Sequence, residues 1–176
     1  MALVDSQYGS GVSSSGYFSM NTSNTNTGGW ANSYHRRTLL GNTGTPTSPP
    51  SNSLLAAMPA DLRAVMKAVT KYSDNTGGGS NTASYVTSTT DYLFELAEFE
   101  YHGARTYANS AEQNYQQQYA YYQAGNSKIH YKHNATGTAA IVWCRSVYSL
   151  SYYAFCFVYT DGSAYYNNAY ISWALA

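Results

Sequence analysis

The last third of the sequence constrains the fold most, because it predicts several antiparallel strands joined by tight turns. The apolar run Ala139–Arg145 is the strongest strand signal in the chain. Residues 153–159 predict a second strand, in which aromatic rings and smaller apolar side chains alternate and lie on opposite faces. Thr160-Asp-Gly162 predicts a hairpin turn, after which residues 163–166 return antiparallel and residues 170–175 close the set. The sequence therefore predicts a C-terminal meander of three or four strands.

Two helix patterns precede this meander. Pro59 opens the first, which we expect over residues 59–71 with one apolar face for packing. Ser110 and Gln113 fit a capping box for the second, which we expect over residues 111–124 with tyrosines on its buried side. The positions expected to be buried are Leu62, Val65, Met66 and Val69 in the first helix and Tyr115, Tyr119 and Tyr122 in the second. We therefore predict an α+β domain in which two main helices brace a small antiparallel sheet.

Composition argues against several classes of function. The formal net charge is zero and only 10% of the 176 residues are charged, so the chain lacks the basic stripe of a nucleic-acid-binding protein. No apolar run approaches the roughly 20 residues of a membrane helix, and no secretory signal is visible at the start of the sequence. We therefore expect one soluble domain that binds no nucleic acid and does not insert into a membrane.

Three acidic residues on one short segment raise the possibility of acid–base catalysis. They are Glu95, Glu98 and Glu100, a third of the nine acidic residues in the chain. Glycosidase chemistry needs two carboxylates that face each other across a substrate, usually from separate elements. We therefore expect these side chains to face water or to pair with Arg105, and we assign no catalytic residue.

The histidines do not have the spacing of a metal site. His130 and His133 form an H-x-x-H pair, but no ligand spacing surrounds His35 or His102. Residues three apart on a strand also point to opposite faces. We expect histidines on the surface or in loops, with no metal and no other cofactor.

Glycines and cysteines also have simple structural interpretations. Gly77–Gly79 lacks the Lys-Ser/Thr and the following helix of a phosphate-binding loop, so we expect an ordinary loop. Cys144 and Cys156 each lie in an apolar run, and free cysteine is among the most buried residue types. We expect two buried thiols rather than a disulfide.

Tyrosine is the most unusual feature of the composition. The chain has 20 tyrosines, and seven of them lie between Tyr148 and Tyr170, mixed with serine and asparagine. Tyrosine gives a large amphipathic contact area at low entropic cost, and small polar residues give adaptable hydrogen bonds, as in binding loops. This stretch therefore indicates a binding surface rather than a catalytic centre.

Several motifs, in their order and spacing, resemble those of a known family. They are Gly28-Gly-Trp-x-x-Ser33, Met58-Pro-x-Asp-Leu-Arg63, Trp143-x-Arg-Ser146, Asp161-Gly162 and Ser172-Trp173. The chain resembles C-type-lectin-like domains of gut bacteria and their prophages. This fold is shared with the formylglycine-generating enzyme and with the variable proteins of diversity-generating retroelements. The resemblance spans about residues 17–176 and implies a C-type-lectin-like domain there, preceded by a leader or linker over residues 1–16.

The resemblance also implies which residues bind a ligand. In variable proteins, retroelement mutagenesis changes adenines in codons of the C-terminal region, here about residues 143–176, while the scaffold stays fixed. The positions implied to be variable and ligand-facing are Tyr148, Ser149, Leu150, Tyr152, Tyr153, Tyr159, Tyr165, Tyr166, Asn167, Asn168, Tyr170 and Ile171. The scaffold positions among them are Trp143, Arg145, Phe155, Cys156, Val158, Asp161, Gly162, Ala164, Ala169 and Trp173.

These observations lead to one expected function and two alternatives. We expect a protein that binds an unknown protein or glycan receptor on a host or neighbouring cell. This binding protein would be carried on a phage tail or a bacterial surface. It could also form a homo-oligomer. One alternative is an oxidase of the formylglycine-generating type, although Cys144 and Cys156 do not match its copper-binding cysteine pair. The other is a structural virion subunit whose tyrosines pack against sister chains.

Overall fold

The computed structural model describes residues 18–132 and 135–173, which form a mixed α+β domain, as predicted. Nine strands occur in these residues: β1 (Phe18–Ser19), β2 (Val69–Asp74), β3 (Val86–Asp91), β4 (His130–Lys132), β5 (Ala135–Ala140), β6 (Val142–Val147), β7 (Ala154–Val158), β8 (Ala164–Asn168) and β9 (Ser172–Trp173). The α-helices are short: α1 (Gly29–Asn32), α2 (Leu54–Ala57), α3 (Ala60–Val65), α4 (Glu98–His102) and α5 (Ala120–Gln123). A π-helical turn covers His35–Leu39, and 3₁₀ turns cover Ala83–Tyr85 and Ser110–Asn114. The leader expected over residues 1–16 lies outside the described residues.

The strands form four small antiparallel sheets. β6, β7 and β8 make a three-stranded sheet in that order, and the other strands pair as β1–β9, β2–β3 and β4–β5. The predicted C-terminal meander is confirmed for β6 to β8. The expectation that residues 170–175 extend it is wrong, because Trp173 of β9 pairs with Phe18 of β1 instead. A partner so distant in sequence leaves no local pattern that alternation could reveal.

β7 lies at the centre of the core because both of its faces are buried. Phe155 and Phe157 pack on one face in a cluster that includes Trp143. Cys156 packs on the other face in a cluster that includes Tyr101. The predicted alternation of this strand is confirmed. Each fully buried large apolar side chain contributes about 1.5–3 kcal/mol to folding, so β7 holds the two halves of the core together.

The first predicted helix, residues 59–71, is only partly correct. α3 ends at Val65, and the backbone at Met66 is extended, with ψ 137°. The next residues form β2, which pairs with β3 through six pairs of residues. The predicted packing face does not pack, since Leu62 is 47% and Val65 71% exposed. Cross-strand pairing therefore outweighs a weak local preference for further helical turns.

The second predicted helix, residues 111–124, is wrong. The chain forms a 3₁₀ turn at Ser110–Asn114, then a non-helical segment, and only then the four residues of α5. Glu112 is buried and accepts a hydrogen bond from the backbone N–H of Asp74 at 2.9 Å, which ties the turn to β2. Two of the tyrosines expected on the buried side of the helix are exposed: Tyr115 and Tyr119.

The three glutamates were expected to face water or to pair with Arg105, and the first expectation is wrong because all three are buried. Glu100 accepts hydrogen bonds from both terminal nitrogens of Arg145, at 2.5 and 2.8 Å, and Arg145 also donates to the carbonyl of Glu95. Burial opposes the charge of Glu100, but the hydrogen bonds from Arg145 outweigh it and hold the pKa of Glu100 below its ordinary value. This buried ion pair joins β6 to α4.

Glu98 organises a loop rather than facing water. Its carboxylate accepts hydrogen bonds from the backbone N–H groups of Thr106, Tyr107 and Ala108, at distances from 2.7 to 3.1 Å. Burial raises the pKa of Glu98, and these three N–H groups offset part of the rise. The carboxylate therefore fixes the loop that follows α4.

The histidines also differ from expectation, since His35 and His130 are buried. Nε2 of His35 lies 3.1 Å from Oε1 of Glu95. Burial lowers the pKa of His130 to about 4, and it does the same for the half-buried His102. His133 lies outside the described residues.

Candidate functional site

A loop between β6 and β7 carries Leu150 and Tyr152, the two most exposed of the predicted ligand-facing residues. Asn26, which is fully buried, holds this loop from beneath. Nδ2 of Asn26 donates to the carbonyls of Ser151 at 2.6 Å and Ala154 at 3.0 Å. The backbone N–H of Asn26 donates to the carbonyl of Tyr152 at 2.9 Å. All three hydrogen bonds go to backbone carbonyls, so they do not depend on which side chains the loop presents.

The hairpin between β7 and β8 is held in the same way. The backbone N–H of Tyr159 donates to the carbonyl of Ser163 at 2.8 Å, and the N–H of Gly162 donates to the carbonyl of Tyr159. Gly162 has φ 85°, a left-handed conformation that favours glycine. Oδ1 of Asp161 accepts the N–H of Ser163 at 2.9 Å, and hydrogen bonding to Ser163 lowers the pKa of Asp161. The predicted Thr-Asp-Gly turn is confirmed.

A groove of about 550 Å³ lies beside this hairpin, and we call it the C-terminal groove. Ligand pockets commonly measure about 300–1,000 Å³. Its lining consists of Ile141, Phe157, Tyr159, Asp161, Ser163, Tyr165, Asn167 and Trp173. The indole Nε1 of Trp173 is buried and has no hydrogen-bond partner within the described part of the chain. A ligand here would meet aromatic walls and one donor that lacks an acceptor.

A cluster of tyrosine rings adjoins this groove, because Tyr165 of the groove lining stacks on Tyr166 with centroids 5.3 Å apart. The rings of Tyr148 and Tyr166 stack with centroids 4.1 Å apart and planes 28° apart. Tyr107 meets both rings edge-on, at 5.6 and 4.9 Å. Such aromatic pairs stabilise one another by about 0.5–1.5 kcal/mol beyond the area they bury. The cluster therefore presents Tyr148 and Tyr166 in fixed positions.

Sequence reasoning missed Tyr107. The residue stands alone in a polar segment far from the C-terminal third, so periodicity and composition gave no signal. Its position follows from Glu98, which binds the N–H of Tyr107, and from the N–H of Ser149, which donates to the Tyr107 carbonyl at 3.0 Å. A long-range backbone contact therefore adds an aromatic ring to the predicted surface.

Most of the predicted ligand-facing residues are accessible, but one is not. Leu150, Tyr152, Tyr159, Tyr165 and Tyr170 are exposed. The half-buried ones are Tyr148, Tyr153, Tyr166, Asn167, Asn168 and Ile171. Ser149 is buried, and its hydroxyl donates to the carbonyl of Tyr107 at 3.0 Å, so its side chain does not lie on the surface. Ile171 also packs against the core cluster around Trp143.

The implied scaffold positions are mostly interior. Trp143, Arg145, Phe155, Cys156, Val158 and Ala169 are fully buried. Arg145 makes the contacts that hold β6 against its neighbours, since its Nε also donates to Oγ of Ser73 on β2 at 2.9 Å. The strands β6 and β7 are therefore buried throughout, and the accessible tyrosines lie on β8 and in the segments that connect the strands.

Neither cysteine has the surroundings of a reactive thiol. Cys144 and Cys156 are free and buried, as predicted. Burial raises the pKa of both thiols well above the ordinary value, and the nearby Glu98 raises them further. Among residues 18–132 and 135–173, no three His, Cys, Asp or Glu side chains are grouped so that they could hold a metal ion. No helix in this part of the chain is long and apolar enough to cross a membrane.

Comparison with known proteins gives the family of the chain. No curated protein and no solved structure matches it. One family model matches residues 12–174, nearly the whole sequence, and it describes a domain of unknown function. The chain therefore belongs to the DUF6273 family.

Proposed function

We propose that this domain binds a protein or glycan receptor through its C-terminal loop, hairpin and groove, on a C-type-lectin-like scaffold. One observation carries the proposal. Asn26 and the β7–β8 hairpin bonds fix the backbone of the surface through main-chain atoms, and they leave the side chains of Leu150, Tyr152 and Tyr165 exposed. A surface built in this way tolerates changes of side chain without a change of fold.

The chemistry of the surface suits recognition. Tyrosine is enriched among residues that dominate binding energy, because its large rigid ring loses little conformational entropy. Trp173 offers a buried indole N–H without a partner in the described part of the chain, which favours a ligand with an acceptor at that point. We include in the proposal that a retroelement diversifies these positions and that the domain is displayed on a phage tail or a bacterial surface.

The oxidase alternative has weaker support. Formylglycine-generating chemistry needs thiols that bind copper, whereas Cys144 and Cys156 are buried with raised pKa values. The other alternative is a structural virion subunit. The binding assay described below would favour it if the tyrosines mediate self-association and no receptor binding.

Population sequencing tests diversification. The codons for residues 143–176 would be sequenced in many copies of the gene from its natural source. We expect substitutions at adenines in the codons of the exposed tyrosine and asparagine positions, with Trp143, Gly162 and Trp173 unchanged. A uniform sequence across the population would refute active diversification and leave a binder of fixed specificity.

A binding assay tests recognition separately. The full chain would be incubated with bacterial cells from the same source, and with glycan and surface-protein fractions from them. We expect Tyr165→Ala to reduce binding by at least about tenfold, since removing a central aromatic contact often costs more than 2 kcal/mol. Tyr121→Ala is the matched control, because Tyr121 is also exposed but lies outside the C-terminal third. Equal binding by both variants, or tyrosine-dependent self-association alone, would contradict the proposal.

A further inference from the structure

A second groove shares none of its lining residues with the C-terminal groove. It has a volume of about 380 Å³ and lies between β2 and the segment from Tyr115 to Gln123. We call it the glutamine groove, because four glutamines line it: Gln116, Gln117, Gln118 and Gln123. Lys71, Tyr72, Tyr115 and Tyr119 also line it. The volume lies within the usual range of sites for small ligands.

Charged side chains at the base of the groove are fixed in position. Nη2 of Arg145 donates to Oε1 of Glu100 at 2.8 Å, and Nζ of Lys71 lies 3.3 Å from the same oxygen. Two cations therefore share one carboxylate, which leaves a single excess positive charge at this point. A phosphate-rich ligand would need more uncompensated positive charge, whereas a neutral or weakly acidic polar ligand fits.

Gln116 supplies a buried acceptor without a donor. Its Nε2 donates to the carbonyl of Tyr72 at 2.8 Å and to Oε2 of Glu112 at 3.0 Å. Both partners are acceptors, so the amide cannot be flipped without losing both hydrogen bonds. Its Oε1 is buried and has no hydrogen-bond partner among the residues that the structure describes. A buried acceptor of this kind favours a ligand that brings a hydroxyl or amide donor.

Aromatic rings complete the groove. The rings of Tyr72 and Tyr115 stack, with centroids 4.7 Å apart and planes 11° apart. Tyr115 is nevertheless 55% exposed, so part of its ring is open to a ligand. The hydroxyl of Tyr119 accepts from Nζ of Lys71 at 2.8 Å, which leaves its own proton available for donation.

We infer that the glutamine groove binds a short saccharide. Sugar hydroxyls both donate and accept, so one can donate to Oε1 of Gln116 while another accepts from the hydroxyl of Tyr119. The apolar C–H face of a sugar ring packs against the ring of Tyr115. The inference does not depend on the proposed receptor-binding function, because the two sites use different residues.

The experiment uses the full chain and an array of immobilised mono- and disaccharides, followed by calorimetric titration of those that bind. We expect Tyr115→Ala to weaken the affinity by about tenfold, because it removes the ring against which the sugar packs; its thermal unfolding is measured too, since the change also removes the stack on Tyr72. Gln116→Met is expected to weaken it as well. If Gln116→Met unfolds at the same temperature as the unaltered chain, its lower affinity comes from the lost acceptor and not from a lost fold.

Two controls make the outcome decisive. Tyr121→Ala removes another exposed tyrosine of the same region that does not line the groove, and it is expected to bind as the unaltered chain does. Tyr165→Ala tests the C-terminal groove and is also expected to leave saccharide binding unchanged. Absence of binding to every saccharide on the array would overturn the inference. Binding that is lost in Tyr165→Ala but not in Tyr115→Ala would overturn it too, while supporting recognition at the C-terminal surface.

Discussion

Replacing Asn26 by aspartate tests the idea that one buried side chain holds the binding loop. The two residues have the same shape, so packing is preserved. The change removes both Nδ2 hydrogen bonds, to the carbonyls of Ser151 and Ala154, and places an oxygen opposite those two oxygens. The bond from the N–H of Gly78 to Oδ1, at 3.0 Å, can remain. Asn26→Asp therefore removes the two donated bonds and keeps the accepted one.

The expected loss of stability follows from these contacts. The Ala154 carbonyl still accepts the N–H of Tyr148, so only the Ser151 carbonyl is left without its donor, which costs about 1–3 kcal/mol. Burying a new carboxylate adds to this cost above its pKa, so the variant should be less destabilised in acid, where the carboxyl is protonated and can donate one bond. Exchange of the backbone N–H of Tyr148, which donates to the carbonyl of Ala154, should also become faster.

Urea unfolding measures the first effect and hydrogen exchange measures the second. Asn126→Asp is the matched control, because Nδ2 of Asn126 donates to the carbonyl of Tyr121 at an exposed site. The control should change the free energy of unfolding by no more than about 0.5 kcal/mol. If Asn26→Asp unfolds within that margin of the unaltered chain, the loop is not held by Asn26, and the structural basis of the proposed surface fails.

Three further predictions concern buried ionisable groups. Arg145→Met should reduce the free energy of unfolding by about 3–5 kcal/mol, and adding Glu100→Gln should restore part of the loss, because the second change removes the unpaired charge; urea unfolding of single and double variants measures this. Burial raises the pKa of Glu112 to about 7, so its contribution to stability, up to about 3 kcal/mol, is lost as pH rises from 4.5 to 7, and urea midpoints of Glu112→Gln should lack this decline. Burial lowers the pKa of His130 to about 4, so stability is lost as pH falls from 6.5 to 4; His130→Phe should remove up to about 3 kcal/mol of this acid sensitivity, measured by thermal unfolding at each pH, and an unchanged pH profile would contradict it.

Where local chemistry decides the structure, the sequence was enough to predict it. Serine is a favoured N-cap residue, and Oγ of Ser53 accepts the N–H of Ala56 at the start of α2. Gly103 ends α4 in a left-handed conformation, with φ 68°. The alternation along β7 predicted which residues face each half of the core, and the buried thiols were predicted from their apolar neighbours. Each of these features depends on residues within a few positions of one another.

The fold of the middle of the chain depends on distant contacts instead. The apolar spacing over residues 59–71 suits a helix, but β3 offers β2 a complete antiparallel partner, and α3 stops at Val65. Residues 111–124 carry a helical stripe of tyrosines, but Glu112 and Gln116 are held by β2 and draw the segment out of a helix. A helix signal can be read from one segment, whereas the strand that overrides it lies elsewhere in the sequence.

The candidate site divides in the same way. The sequence alone indicated a tyrosine-rich C-terminal surface, because residue type and strand alternation are local properties. Only the tertiary structure brought Tyr107 beside Tyr148 and Tyr166, withdrew Ser149 from the surface and placed Asn26 beneath the loop. Composition decides what a surface can bind, but hydrogen bonds between residues more than a hundred positions apart decide which side chains reach it.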